Sequence, residues 1–272
     1  MKRIAVVTDI SGLGNCSLTA SLPIFASAGQ HAIPVVSGAF STQTGFDGFR
    51  YVANDDVYNF VAHVAANTQL DAIYTGFLTS LDQLKAVKRA VTDFLPTDAS
   101  LFVDPIMGDN GKLYPLYNNE YVDQMKALLK GAKCIMPNIT EACLLCGVDY
   151  DQLVAQSDKP GYLSVVAKAF ENILDNLGVQ SAVITGVEMP EMIANVVVEP
   201  TGIRFVTNDR CPIKFSGTGD VFASVLIATL MRGSSLIQAT SLASSFVYNS
   251  IVDTNWQDRR FGINFTNQLR KL

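Results

Sequence analysis

Short runs of apolar residues alternate along this chain with longer segments in which apolar residues recur every three or four positions. Short apolar runs bounded by glycine, proline or polar residues are typical of buried strands, and the longer spacing is typical of helices. Strands are predicted at Ile4–Thr8, Ala32–Ser37, Ala72–Gly76, Ser100–Pro105, Cys134–Asn138 and Ala182–Gly186. Helices are predicted at Cys16–Ala28, Ser80–Phe94, Asn119–Leu129, Leu163–Leu177, Thr218–Met231 and Leu236–Asp253.

Repeated strand–helix units of this length predict an α/β fold, with a mostly parallel central sheet and helices on both faces. Two extended runs, "MIANVVVE" and "GIRFVTN", predict a hairpin about Pro200–Gly202. Asn54 is a candidate cap for a further helix, with Asp55 and Asp56 in its first turn. No linker, repeat or low-complexity segment divides the chain, so one domain over residues 1–272 is expected.

Composition narrows the class of protein. The 272 residues are 49% hydrophobic and 17% charged, which is typical of a globular protein with a sizeable core. The net charge of −5 without a run of like charges argues against nucleic acid or an acidic membrane surface as partner. The first apolar run is interrupted at Asp9, too early for a signal peptide, and no apolar run approaches the roughly 18 residues that span a bilayer. A cytoplasmic protein is expected.

The cysteines and histidines offer little chemistry. Cys143 and Cys146 form a C-x-x-C inside "TEACLLCG", where their spacing places both thiols on one face of a helix. A zinc site needs a second pair or histidines nearby, so a structural role in the core is favoured. His31 lies just before a strand and His63 lies within a helix, and both are interpreted as structural.

The stretch "FSGTGDVFAS" carries the strongest chemical signal. Gly217, Thr218 and Gly219 can present backbone N–H groups at the first turn of a helix, where donors lack partners and the dipole is positive. Such a turn suits phosphate oxygens or the charge that develops in phosphoryl transfer. Asp220 at the same point suits a base that takes a proton from an attacking hydroxyl, although it could equally complement the helix N-terminus alone.

Other phosphate-binding motifs fit poorly. No G-x-x-x-x-G-K-[ST] string of a Walker A loop occurs. "GLGNCS" begins like a dinucleotide fingerprint, but Ser17 replaces its third glycine, and the second strand ends in Ser37 and Gly38 rather than an acid. Arg204, Arg210 and Lys214 precede "SGTGD" and could cover a triphosphate as a lid; Lys214 is the best candidate, and solvated surface charge is the alternative for Arg204.

The motifs together resemble a known family. "SGTGD" is similar to the G-[AT]-G-D signature of the ribokinase superfamily of small-molecule kinases, whose fold is a three-layer α/β/α sandwich. "FSTQTGF" resembles the substrate loop of pyridoxal kinases, usually F-S-N-H-T-G-Y. "TGF", "DPIMGD" and "PNITEACLL" resemble that family's T-G-Y, D-P-V-x-G-D and P-N-x-x-E-x-x-L-L segments in order. The likeness covers about Ile4–Ser250.

The resemblance implies roles for individual residues. It implies Asp220 as catalytic base, with the anion hole formed by Gly217, Thr218 and Gly219. The substrate-binding residues that it implies are Asp9, Ser11, Thr44, Phe77 and Asp220. The nucleotide-binding residues that it implies are Asp104, Asn138, Glu141, Thr185, Gly186, Lys214, Gly217 and Gly219. The Mg²⁺ ligands that it implies, largely through water, are Asp104, Asp109 and Glu141. Turn chemistry is the alternative for Asp104 and Asn138, and core packing is the alternative for Phe77.

The sequence also departs from the pyridoxal kinase pattern. Gln43 takes the place of the usual histidine, Phe77 that of a tyrosine and Met136 that of a threonine. "DISGLG" is closer to the D-x-S-G-G-A-G of hydroxymethylpyrimidine kinases, yet Asp220-Val221 follows the glycine pair where those enzymes typically carry Gly-Cys.

The resemblance implies phosphorylation of the hydroxymethyl group of pyridoxal, and of pyridoxine or pyridoxamine, with ATP and Mg²⁺. It leaves a monovalent cation open and implies a homodimer. A hydroxymethylpyrimidine kinase is the nearest alternative, and a non-catalytic nucleotide- or vitamin-binding regulator is a more distant one. The intact Asp220 beside an intact glycine turn argues against the regulator.

Overall fold

A nine-stranded sheet forms the centre of the computed structural model, which describes residues 1–272. The strands are β1 (Arg3–Ser11), β2 (His31–Phe40), β3 (Tyr51–Ala53), β4 (Ala72–Thr75), β5 (Ser100–Val103), β6 (Gly108–Asp109), β7 (Lys112–Leu113), β8 (Cys134–Ile135), β9 (Ala182–Glu188), β10 (Met192–Glu199) and β11 (Gly202–Asp209). The helices are α1 (Ser17–Ser27), α2 (Val57–Asn67), α3 (Leu81–Phe94), α4 (Asn119–Leu129), α5 (Ile139–Cys146), α6 (Tyr150–Val154), α7 (Tyr162–Ala169), α8 (Ile173–Leu177), α9 (Thr218–Met231) and α10 (Leu236–Asp253). Two 3₁₀ helices, Arg259–Phe261 and Thr266–Lys271, follow α10.

The sheet has the strand order β11-β10-β9-β8-β5-β4-β1-β2-β3. Its six central strands, from β9 to β2, are parallel, and the antiparallel strands lie at its two edges. Since the carboxyl ends of parallel strands meet at one edge, the loops after β1, β4, β5, β8 and β9 converge there.

Each face of the sheet carries its own hydrophobic core. Along β1, Ala5 and Val7 join the core beneath α2 to α5, α7 and α8, while Ile4 and Val6 join the core beneath α1, α9 and α10. All four side chains are fully buried, as the two-residue period of a strand requires when both faces are covered. The predicted three-layer α/β/α architecture is therefore confirmed. No α-helix is both long and apolar enough to cross a lipid bilayer.

Two predicted helices differ from the structure. The segment predicted as one helix over Leu163–Leu177 is divided into α7 and α8, because the chain bends after Phe170, whose ring is buried in the core. The helix that Asn54 was expected to cap begins only at Val57. The Asn54 side chain instead accepts a hydrogen bond from the Asp56 N–H at 3.0 Å, which holds the turn before the helix.

A small hairpin that the strand prediction omitted lies beside the sheet edge. β6 and β7 pair around Asn110 and Gly111, which have φ values of 52° and 77°. This is the backbone of a two-residue type I′ turn, and the Asn-Gly pair in "GDNGKL" was the signal for it. The hairpin places Asp109 on its exposed corner.

The cysteines are all free, and Cys143 is buried in the core. This agrees with the structural role predicted for the C-x-x-C pair. His31 begins β2 at the amino edge of the sheet, and His63 is exposed on α2.

Candidate active site

The first turn of α9 meets the loop after β1 at the carboxyl edge of the sheet. Gly217 forms the N-cap of α9 with a φ of 77°, a left-handed conformation that favours glycine. A Cβ atom at this position would overlap the carbonyl oxygen of Asn15. A Cβ atom on Gly219, in contrast, would meet no heavy atom within 4 Å. The turn is therefore packed against loop β1–α1 on one side and has open space at Gly219 for a ligand.

Asp220 lies in this first turn with its carboxylate directed inward. The Oδ1 atom is shielded from solvent and has no hydrogen-bond partner in the chain. Burial, and then the negative charge of Asp9, raises the pKa of Asp220 from 3.8 to about 7. A carboxylate with a pKa close to neutral pH is suited to accept a proton from a hydroxyl group.

Asp9 lies near the end of β1, close enough to Asp220 for its charge to raise the pKa of that residue. It is buried, and its carboxylate accepts hydrogen bonds from Ser11 Oγ at 3.2 Å and from Thr8 Oγ1 at 3.4 Å. Burial raises the pKa of Asp9, and the nearby hydroxyl groups of Ser17 and Ser11 partly oppose this rise. Asp9, Ser11 and Asp220, which the sequence assigned to one site, are thus brought together.

Ser17 links the two carboxylates and was not among the predicted site residues. Its backbone N–H is near enough to Asp220, and its side chain near enough to Asp9, to lower the pKa of each carboxylate. It has a φ of 48°, which is uncommon for a residue other than glycine. The sequence held no signal for this backbone conformation.

Asp104 and Glu141 form a second buried acidic group, after β5 and in the first turn of α5. Burial, followed by the charges of Glu141 and Asp220, raises the pKa of Asp104 well above its ordinary value. Burial also raises the pKa of Glu141. No group of the chain donates a hydrogen bond to the Asp104 carboxylate. Such a carboxylate is suited to a cationic ligand, which would favour its ionised form.

Asn138 and Glu141 mainly organise the loop around them. They form the capping box of α5: Asn138 Oδ1 accepts from the Glu141 N–H at 2.9 Å, and Glu141 Oε2 accepts from the Asn138 N–H at 2.8 Å. Glu141 Oε1 also accepts from the Met107 N–H at 3.1 Å, and Asn138 Nδ2 donates to the Gly108 carbonyl at 2.9 Å. These contacts hold the "DPIMGD" loop against the start of α5.

The three predicted Mg²⁺ ligands do not form a site that could bind a metal ion directly through all three carboxylates. The exposed Asp109 carboxylate accepts from the Asn110 N–H at 2.8 Å and from its Nδ2 at 2.9 Å, while Glu141 is engaged by its capping box. No group of three or more His, Cys, Asp or Glu side chains is placed to hold a metal ion directly. Of the three predicted ligands, Asp104 is the one whose carboxylate remains available to bind a metal ion.

The predicted nucleotide side lies around β9. Thr185 bridges to Asn138 between neighbouring strands, and Gly186 has a φ of 70° beside an irregularity in the pairing of β9 with β10. Lys214 forms an ion pair with Glu188 Oε1, and Arg210 Nη2 lies 2.8 Å from Glu188 Oε2. Two of the three predicted lid cations therefore share one carboxylate at the end of β9, whereas Arg204 pairs with Glu199 at the far end of β10.

The predicted substrate side is lined by aromatic rings. Phe77 is half-buried between Phe40 and Tyr117, with ring centroids 6.0 and 6.3 Å away. Thr44 is exposed on the loop after β2. Gln43 beside it is buried, and its amide is engaged with Arg260 and Gly45. Phe77 is thus placed to serve as an apolar wall, and Gln43 is directed into the protein.

Solved structures of small-molecule kinases share this fold over nearly the whole chain. A Bacteroides thetaiotaomicron structure attributed to a phosphomethylpyrimidine kinase is 33% identical, covers 99% of this chain and 93% of its own, and superimposes with a TM-score of 0.90. An orthorhombic form, described as containing pyridoxal, is 30% identical with a TM-score of 0.88 and covers 99% and 94%. Pyridoxal kinase from Lactobacillus plantarum is 26% identical, covers 100% and 96%, and has a TM-score of 0.86.

A curated relative from Bacillus subtilis, hydroxymethylpyrimidine/phosphomethylpyrimidine kinase, is 24% identical over 257 residues, or 93% of this chain and 90% of its own. The sheet, the two helical layers and the glycine turn of α9 define a small-molecule kinase of the ribokinase-like class. The family model described as phosphomethylpyrimidine kinase matches residues 14–263, and the chain therefore belongs to that family. The resemblance to ribokinase-like kinases, and to pyridoxal kinases among them, is confirmed.

Proposed function

We propose that this protein is an ATP- and Mg²⁺-dependent kinase that phosphorylates the hydroxymethyl group of pyridoxal. The observation that carries the proposal is the Asp220 carboxylate: its Oδ1 atom has no partner in the chain, and it lies in the same turn as Gly217 and Gly219. The loop "FSTQTGF" and the pyridoxal contained in the related Bacteroides thetaiotaomicron structure favour pyridoxal as acceptor.

Asp220 is assigned the role of general base. Its Oδ1 atom would accept the proton of the substrate hydroxyl as that oxygen attacks the phosphorus atom, which general bases typically accelerate by about 10² to 10⁴-fold. The backbone N–H groups of Gly217, Thr218 and Gly219 would stabilise the charge on the transferred phosphoryl group. These donors are held before the reaction by the packing of Gly217 on Asn15, so little rearrangement is needed.

The acceptor ring is assigned to the space between β1 and the loop after β2. Asp9 and Ser11 would hydrogen-bond polar atoms of the ring, and the side chain of Phe77 would pack on its apolar surface. Thr44 is exposed and would contact the acceptor from the loop side.

Asp104 is the residue that fits Mg²⁺, since it is a buried carboxylate without a hydrogen-bond donor. Glu141 and Asp109 would contribute through water, which Mg²⁺ usually retains. When bound with ATP, Mg²⁺ neutralises phosphate charge. Thr185, Gly186, Asn138 and Lys214 would contact the nucleotide, with Lys214 leaving Glu188 to do so.

Hydroxymethylpyrimidine kinase activity is the second candidate. It is supported by the family model and by the Bacillus subtilis relative. Both acceptors present a hydroxymethyl group on a nitrogen heterocycle, so the same base and anion hole serve either reaction. They differ in the ring contacts, which lie in the loops after β1 and β2.

An acceptor panel tests the proposal. The protein is incubated with Mg-ATP and, separately, pyridoxal, pyridoxine, pyridoxamine, hydroxymethylpyrimidine or no acceptor, and phosphorylated product is measured. We expect product mainly from pyridoxal, with Asp220→Asn lowering kcat by about 10³-fold because the base is removed. ATP affinity should be kept, since the amide donors remain in place.

Asp71→Asn is the control, because Asp71 pairs with Lys2 at the opposite edge of the sheet and should leave turnover unchanged. Product only from hydroxymethylpyrimidine would assign the second candidate function. Full turnover in Asp220→Asn would remove Asp220 from the role of base. ATP binding without turnover on any acceptor would favour a regulator and contradict the proposal.

A further inference from the structure

Three consecutive backbone carbonyls after α10 each accept a hydrogen bond from a different loop of the candidate site. The Arg259 carbonyl accepts from the Ser216 N–H at 3.4 Å, in the turn before α9. The Arg260 carbonyl accepts from Gln43 Nε2 at 3.1 Å, in the loop after β2. The Phe261 carbonyl accepts from the Asn15 N–H at 2.9 Å, in the loop after β1. We refer to residues Arg259–Ile263 as the strap.

The three loops also contact one another beneath the strap. The Gln43 N–H donates to the Leu13 carbonyl at 2.9 Å, and a Cβ atom on Gly14 would lie 3.0 Å from Gln43 Cγ. Gly217 packs on the Asn15 carbonyl so closely that a Cβ atom there would overlap it. The loops that carry the acceptor contacts and the phosphate turn therefore form one packed unit with the strap.

Two further hydrogen bonds hold the strap itself. Trp256 Nε1 donates to the Gly262 carbonyl at 2.7 Å, and Asn15 Nδ2 donates to the Ile263 carbonyl at 2.9 Å. Gly262 has a φ of 78°, and a Cβ atom on it would lie 2.9 Å from the Asn15 carbonyl oxygen. The position of the strap against loop β1–α1 is thus set by close backbone contact.

Gln43 is the side chain that ties the substrate loop to the strap. It is buried, its Oε1 accepts from the Gly45 N–H at 2.8 Å, and its Nε2 donates to the strap. The next ring on the loop, Phe46, packs against Phe261 with centroids 5.8 Å apart, and the Arg260 guanidinium lies 4.4 Å from the Phe46 ring centre. Both polar atoms of the Gln43 amide are hydrogen-bonded within the protein. Gln43 therefore contributes to the site by fixing the loop.

We infer that the strap sets the distance between the acceptor and the phosphate turn, and that Gln43 is a positioning residue for phosphoryl transfer. The inference rests on the proposed function, because it assigns the loop after β2 to the acceptor and the turn of α9 to the phosphoryl group. Displacement of either loop changes the approach of the hydroxyl oxygen to phosphorus, to which transfer rates are very sensitive.

Gln43→Leu tests the inference with two measurements. We expect kcat/KM for the acceptor to fall at least about tenfold, as loss of a buried hydrogen-bonded contact implies, with changes in both kcat and acceptor KM. Amide hydrogen exchange should become faster in all three loops, residues 12–16, 41–46 and 215–219, because the strap couples them.

Gln30→Leu is the matched control. Gln30 is equally buried and donates to the Ala228 carbonyl at 2.7 Å, but it lies between α1 and β2 at the opposite edge of the sheet. It should lower the melting temperature as Gln43→Leu does, with kcat and KM unchanged and the three loops as protected as in the wild type.

Faster exchange confined to residues 41–46, with kcat/KM unchanged in Gln43→Leu, would overturn the inference and leave Gln43 a local structural residue. If the wild-type protein phosphorylates no acceptor, the proposed function fails while the exchange measurement still decides the strap. Exchange that rises in all three loops supports the coupling in that case, and exchange that rises in one loop rejects it.

Discussion

The ionisation of Asp220 follows from two opposing requirements on a single side chain. Burial, which shields its Oδ1 atom from water, and the negative charge of Asp9 both disfavour the charged form and raise the pKa to about 7. The nearby Ser17 N–H favours the charged form and lowers the pKa of Asp220. The result is a carboxylate that can hold or release a proton near neutral pH, at a cost to the stability of the folded state when ionised.

This cost predicts a stabilising substitution. The folded state holds the Asp220 proton more tightly than the unfolded state, where the pKa is 3.8, so the wild type loses stability as pH rises from about 4 to about 7. The Asp220→Asn variant should not lose stability over this pH range. At pH 8 we expect the variant to exceed the wild type by up to roughly 4 kcal/mol in free energy of unfolding, at about 1.36 kcal/mol per pH unit.

Urea unfolding from pH 4 to pH 8 measures this difference, which should grow up to pH 7 and then remain constant. Asp71→Asn is a control of opposite sign, because the hydrogen bond from Lys2 lowers the pKa of Asp71 and its charged form stabilises the folded state. A difference for Asp220→Asn that is the same at pH 4 and pH 8 would contradict the raised pKa.

At the scale of elements, the start of α9 depends on a close contact between two loops. Gly217 must adopt a φ of 77° and approach the Asn15 carbonyl, and only glycine meets both conditions without strain. The pattern "SGTGD" predicted this helix start and its exposed N–H groups. The partner in this contact, Asn15, lies 202 positions earlier in the chain, which is the difference between residue numbers 217 and 15. No local pattern predicts a contact over that separation.

Gly217→Ala should therefore lose both stability and activity. The methyl group would displace the turn from Asn15, and we expect a loss of roughly 2 to 4 kcal/mol in free energy of unfolding and of at least about 100-fold in kcat. Chemical unfolding and initial-rate assays measure the two effects.

Gly131→Ala separates the effect of the Asn15 contact from the effect of the positive φ. Gly131 has a φ of 80°, but no heavy atom lies within 4 Å of a Cβ built on it. This variant should lose only about 1 kcal/mol and keep its turnover. Equal losses of stability in the two variants, with activity retained in Gly217→Ala, would show that the Asn15 contact is unimportant.

At the scale of the whole molecule, the site contains carboxylates from distant parts of the chain and no basic side chain that neutralises them. Asp9, Asp104, Glu141 and Asp220 all lie at the carboxyl edge of the sheet, and their pKa values are all raised. Lys214, the cation predicted to contact the nucleotide, pairs with Glu188 instead. A ligand that brings its own cation is expected to relieve this repulsion.

Mg-ATP should consequently stabilise the protein more than Mg²⁺ alone. At a concentration 100 times its Kd, ATP with Mg²⁺ should add about 2.7 kcal/mol, which corresponds to roughly 5 to 10 °C in Tm. Mg²⁺ alone should shift Tm little, since no cluster of three ligands is preformed. Differential scanning calorimetry with Mg²⁺, ATP and both together checks this, and an equal shift with Mg²⁺ alone would contradict it.

The sequence by itself determined the order of elements, the three-layer fold and the residue types of the site. Alternation of apolar runs and the glycine turn are local patterns, and local patterns are sufficient for a parallel α/β sheet whose strand ends meet at one edge. The "GDNGKL" turn was also readable, although the strand prediction omitted it.

Only the tertiary structure decided which side chains are free to act. It engages the Glu141 carboxylate with the Met107 N–H, and it joins Gln43 to the strap that follows α10. It also produced the raised pKa of Asp220 through burial and the nearness of Asp9. These properties depend on contacts between residues far apart in the chain, and neither spacing nor composition contains that information.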